Sequence, residues 1–115
     1  MNLTGLAPRP KTGKPIKDLK HLARVAQLPC VICYTYGLQQ VSPTQVHHCC
    51  HDRFGTLRES DRATIPLCEG HHQGLRDTSK IAIHREKQAW RDRYGPDYAY
   101  LPWVKAQLDE MEIGF

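Results

Sequence analysis

The stretch from Val46 to His72, VHHCCHDRFGTLRESDRATIPLCEGHH, holds most of the side chains in this chain that can bind a metal or move a proton. An adjacent pair, His47 and His48, opens it, and Cys68, His71 and His72 close it. Upstream, Cys30 and Cys33 form a C-x2-C pair whose spacing matches the C-x2-H of Cys68 and His71. Thiolate sulfur and imidazole nitrogen are the donors that tetrahedral zinc prefers, and four of them close its coordination shell against water. Cys30, Cys33, Cys68 and His71 are therefore read as a structural Zn2+ site rather than as buried thiols beside a surface histidine. Cys49 or Cys50 could replace one of these ligands, since each lies near the knuckles; otherwise they are small core residues.

A closed zinc site leaves the other histidines to be explained. Consecutive residues on a helix are about 100° apart, so His71 can face the zinc while His72 faces elsewhere. Turned back toward the strand that carries His47 and His48, His72 would complete a strand, strand, helix unit with imidazoles converging from both sides. That arrangement suits a catalytic divalent cation.

Several elements must position these groups. From Asp18, a plausible N-cap, Leu19, Leu22, Ala23 and Ala26 fall at helical spacing before Pro29. Tyr34 to Gln45 reads as a connector. Gln45 to Cys49 and Ala63 to Leu67 read as short strands joined by the polar loop His51 to Asp61, which bends at Gly55. A short helix after Cys68 should carry His71 and His72, with Gly74 limiting its length. Ser79 can cap a further helix with Ile83, Lys87, Trp90 and Tyr94 on one face, Trp90 serving as packing. Pro102 can start a last helix whose buried stripe is Val104, Leu108 and Met111.

Bulk properties bound the remaining possibilities. A length of 115 residues, 40% hydrophobic and 24% charged, suits one soluble domain with a small core. Five cysteines exclude a complete set of internal disulfides. With no signal-peptide pattern and no apolar run near the ~18 residues that cross a bilayer, a cytoplasmic chain with no membrane partner is expected. The net charge of +4 is uneven. Residues 1 to 24 carry Arg9, Lys11, Lys14, Lys17, Lys20 and Arg24 against Asp18 alone, a balance of +5, and the remaining ten basic and eleven acidic residues give −1. Residues 1 to 17, rich in proline and glycine, read as a flexible basic arm suited to phosphate contacts, or as a solvated leader, preceding a domain over residues 18 to 115.

The order C-x2-C, a histidine pair on a strand, then SDRATIPLC-x2-HH resembles the HNH nucleases of the His-Me finger, or ββα-metal, superfamily in their zinc-knuckle form. Within it the chain is most similar to the phage and prophage Ref-like recombination-enhancement nucleases, which act with RecA. The motif resemblance runs from Cys30 to His72 and the subgroup resemblance continues through IHREKQAWRDRYG, Ile83 to Gly95. It implies a small α+β fold and hydrolysis of a DNA phosphodiester to leave a 5′-phosphate. It also implies that His47 binds the catalytic Mg2+ or Mn2+, that His48 is the general base, and that His72 is the late metal ligand. DNA and the RecA filament are the implied partners; oligomeric state is not specified.

Two departures from the pattern shift roles onto other residues. Asn2 is the only asparagine, so Asp61 or Thr64 occupies the region of the central N. Arg76 stands where some relatives place a further histidine; it could hold a phosphate, and His84 could supply the missing ligand from the next helix. Arg53 and Arg76 are the first candidates to contact DNA near the cut. His21 and His51 read as surface or hydrogen-bonded core residues, and Tyr34 and Tyr36 as packing around the first knuckle. The competing functions are a non-catalytic zinc module that docks on DNA or on a recombination filament, and a purely structural zinc domain.

Overall fold

The computed structural model describes residues 17–52 and 61–113. Most of the basic arm, including Arg9, Lys11 and Lys14, and the loop residue Arg53 therefore lie outside the described residues. Helix α1 spans Leu19–Val25 and begins as expected, with the Asp18 carboxylate accepting the backbone N–H of His21 at 3.0 Å. Its buried side is not the anticipated stripe. Leu19 is 77% exposed, and Val25 and Leu28 enter the core instead. Burying these larger side chains removes more apolar area from water than burying Ala23 and Ala26 would. The Arg24 guanidinium, donating to the Leu108 carbonyl at 2.8 Å, fixes that rotation.

Within the segment around the first knuckle, Val31–Thr35 forms a five-residue helix, α2, capped by the Cys30 sulfur, which accepts the N–H of Cys33 at 3.5 Å. Sequence pattern did not call for it. Strands β1, Thr44–His48, and β2, Thr64–Cys68, pair antiparallel, with His47 opposite Ile65 and His48 opposite Thr64. Both bounds differ by one residue from expectation, and the ladder is continued by the Cys49 N–H donating to the Ala63 carbonyl. All five residues of β2 are buried, because α1 and α2 pack near it while α3, Glu69–His72, follows it directly.

Gly74 ends α3 at φ 66°, and a Cβ there would lie 2.6 Å from that of Ala82. Only glycine allows this approach. It brings residues 82 to 86 against α3, where the N–H groups of Ile83 and His84 donate to the carbonyls of His71 and His72, each at 3.0 Å. The expected helix from Ser79 is not formed there. Ser79 instead donates its N–H and hydroxyl to the Asp77 carboxylate, an Asx turn that competes with helix, and Arg85 ties the carbonyls of Gly74 and Lys80 together. Helix α4 starts only at Lys87 and runs to Tyr94, with Trp90 fully buried. A 3-10 turn, Asp97–Tyr100, leads into α5, Leu101–Ile113. Val104 and Leu108 are buried on α5 as expected, but Met111 is 38% exposed, lying beyond the end of the core. Tyr34 and Tyr36 are likewise exposed, Tyr34 tilted against Trp103 and Tyr36 in an edge contact with Tyr94.

Candidate metal centres and active site

The two knuckles meet in the core. The Cys68 sulfur lies 3.3 Å from His71 Nδ1, the Cys33 sulfur 3.7 Å from it and 3.9 Å from the Cys68 sulfur, and the Cys30 sulfur 3.6 Å from His71 Nδ1. Ligands at usual zinc distances define a tetrahedron with edges of roughly 3.5 to 3.8 Å. The separations of 3.3 to 3.9 Å lie close to those edges and all four donors are buried, so this Cys3His cluster can hold a metal such as zinc. The hydrogen bond between Cys30 and Cys68, with those involving His71, lowers the Cys68 thiol, while the same bond and burial raise Cys30. Cys49 is packed in the core and Cys50 lies against His47, so neither joins the cluster.

A second group is built entirely from imidazoles. His47 from β1, His72 from α3 and His84 from the turn behind Gly74 each offer a nitrogen, all within 4.8 Å of one another. The Nε2 atoms of His72 and His84 are 3.1 Å apart. Two nitrogens ligating one ion at about 2.0–2.1 Å are separated by roughly 3.0 to 3.4 Å, so the spacing fits a shared cation. His47 and His72 are buried while His84 is exposed, which leaves the group open on one side. Burial, together with the neighbouring His47 and His84, pushes His72 down to about 4, and burial lowers His84 as well. Both shifts favour the neutral ring, the form that binds metal.

His48 does not join this group. Successive strand residues point to opposite faces, so the neighbour of buried His47 emerges on the other side of β1 with its side chain 54% exposed. The anticipated convergence of His47, His48 and His72 is thus replaced by that of His47, His72 and His84. The His48 ring meets Asp61 instead, with Nε2 to Oδ1 at 3.0 Å. The other Asp61 oxygen accepts the N–H of Asp18 at 2.8 Å, a bond that, with the one from His48, lowers the carboxyl below its usual range. A carboxylate can only accept, so His48 donates Nε2–H to it, and in the neutral ring the lone pair sits on Nδ1.

A model of the recombination enhancement, RecA-dependent nuclease family matches residues 17–109. The chain belongs to this family. No curated protein and no solved structure matches it.

In this member of the RecA-dependent nuclease family, the match spans the Cys3His group, the imidazole group and the His48–Asp61 pair. Arg76 is exposed at the rim of a cleft of about 720 Å3 that also takes in Gln45, Ser42 and Gln73. Its loop is held by the Glu69 carboxylate, which accepts the N–H groups of Leu75, Arg76 and Asp77 at 2.8 to 3.3 Å. Lys17 and Lys20 are exposed next to the Asp18 cap. His51 is a satisfied core histidine, Nδ1 accepting the Asp97 N–H at 2.9 Å and Nε2 donating to the Lys87 carbonyl at 3.3 Å.

Two residues beside the imidazoles carried no readable signal. Gln45 shares the His47 face of β1, but a glutamine two places before a histidine is unremarkable in a sequence. Asp97 follows a Gly-Pro turn fifty residues away from His47 and is fully buried.

Proposed function

We propose that the chain is a metal-dependent DNA endonuclease of the HNH type, a zinc-stapled ββα-metal finger that cuts RecA-coated DNA during phage or prophage recombination in the bacterial cytoplasm. The observation that carries this reading is the open group of His47, His72 and His84, whose His47 is the strand neighbour of His48. His47 and His48 are neighbours on β1 with side chains on opposite faces, so the phosphodiester is laid across the end of the strand, with the ion on the His47 side and the base His48 on the other. The three imidazoles would hold Mg2+ or Mn2+, which would supply polarisation of the scissile phosphate and stabilise charge on the leaving oxygen.

The protein's own groups do the rest. His48 Nδ1 takes a proton from water as the water oxygen bonds to phosphorus. The bond from phosphorus to the 3′ oxygen breaks, that oxygen is protonated from solvent, and a 5′-phosphate remains. Asp61 keeps the imidazole oriented and stabilises it once protonated. Arg76 and Arg53 hold phosphate oxygens near the cut. Arg9, Lys11, Lys14, Lys17 and Lys20 track the backbone outside it. Zn2+ in the Cys3His group staples the fold, and no helix of the described residues is long and apolar enough to cross a membrane.

A plasmid-nicking assay with Mg2+, Mn2+ or chelator, with and without RecA filament, tests this reading. Cutting that requires the cation and is stimulated by the filament is expected. Binding to the filament without cutting under any cation would instead identify a docking module. The arm makes a separate prediction. Removing residues 1 to 17 deletes four basic side chains, so the slope of log affinity against log salt should shallow by about 3, at roughly 0.7 to 0.9 per phosphate contact. Equal slopes for the full and shortened chains would remove the arm from the interface.

A further inference from the structure

We propose that Gln45 and Asp97 are positioning residues that lock His72 and His47 in opposite tautomers, so that each ring keeps an unprotonated nitrogen for the cation shared with His84. The proposal rests on the cation site argued above and concerns residues to which that site assigns no role.

Gln45 Oε1 lies 2.7 Å from His72 Nδ1. An amide oxygen only accepts, so His72 carries its proton on Nδ1 and its lone pair on Nε2. That is the nitrogen 3.1 Å from His84 Nε2. Asp97 Oδ2 lies 2.9 Å from His47 Nε2 and 2.7 Å from the backbone nitrogen of Cys50. Here the acceptor faces the other ring nitrogen, so His47 is protonated on Nε2 and its lone pair sits on Nδ1. His47 Nδ1 is buried and has no hydrogen-bond partner among the described residues. A buried acceptor without a partner is costly, and a bound cation would relieve it.

The Asp97 carboxylate is itself held. It also accepts the His51 N–H at 3.3 Å, while its own N–H goes to His51 Nδ1. His47 therefore has one orientation and one tautomer available. The ring centroids of His47 lie 5.1 Å from His72 and 5.2 Å from His84, so a change of tautomer at either end alters what the other two rings see.

Two measurements test the lock. Long-range proton–nitrogen NMR on the zinc-loaded protein without added cation should report His72 protonated on Nδ1 and His47 on Nε2; the opposite tautomer at either ring would overturn the proposal. Titration with Co2+, followed by its visible absorption, should then separate two substitutions at half-buried Gln45. Gln45→Glu keeps an acceptor and should bind within about threefold of the parent, whereas Gln45→Leu should bind about 10- to 100-fold more weakly. Equal Co2+ affinity in Gln45→Leu at unchanged zinc content also overturns it. If the tautomers and affinities are as stated but no DNA is cut, the nuclease reading fails and the lock stands.

Discussion

Replacing His48 with alanine is expected to lower DNA cleavage by about 10²- to 10⁴-fold, the range supplied by a positioned general base, while zinc content and thermal unfolding stay unchanged. The expectation of an intact fold comes from exposure. More than half of the His48 side chain faces solvent, and among the described residues its polar partner is Asp61. Asp61 keeps its bond to the Asp18 N–H in the variant, so the junction of α1 with β2 should persist. Cation affinity should also persist, because His48 is not in the imidazole group. A cleavage defect without a metal or folding defect separates a base from a ligand. Asp61→Ala should give a smaller loss, since it removes the orienting partner and leaves the imidazole. Cleavage by His48→Ala at the parent rate would show that another group accepts the proton.

The second large effect concerns the cysteines. Cys68→Ser, or stripping the metal with a strong chelator, is expected to unfold the domain at 25 °C. Structural zinc in small domains contributes on the order of 10 kcal/mol to folding, comparable to the 5–15 kcal/mol total stability of a typical domain. The dependence should be strong here because the Cys3His cluster joins the N-terminus of α2, the end of β2 and α3. The described apolar core packs around it, with Val31, Ile32 and Leu67 next to ligands in the chain. Circular dichroism and zinc release should follow one common transition. A metal-free protein that retains its near-ultraviolet signal and its cooperative unfolding would mean that the core suffices without the staple.

What the sequence made readable was chemistry at short spacing. Cys30, Cys33, Cys68 and His71 follow a repeat that only a few structures satisfy, and Asp18 announced a cap that its own side chain makes. The strand pair was also readable, to within a residue at each end. Errors arose where tertiary contacts outweigh local pattern. Periodicity put residues from Ser79 onward in a helix, but Asp77 and Arg85 hold that stretch as turns, and Gly74 presses it onto α3. That packing is what delivers His84 to the imidazole group, from a turn rather than from a helix face. On α1 the small alanines matched the helical period, but Val25 and Leu28 had more area to bury. The alternation of β1, applied strictly, would have separated His48 from His47 in advance. Asp97 had no such signal, because a contact across fifty residues is set by the whole fold.

On the proposed function, His47, His72 and His84 hold a cation that is open to a phosphodiester beside His48. Anomalous diffraction from crystals soaked in Mn2+, recorded at the manganese and zinc edges, tests it most directly. One zinc peak is predicted among Cys30, Cys33, Cys68 and His71, and a separate manganese peak among the three imidazoles, with at least one coordination position unfilled by protein. Crystals showing the zinc peak but no manganese between His47, His72 and His84 at saturating concentration would contradict the account.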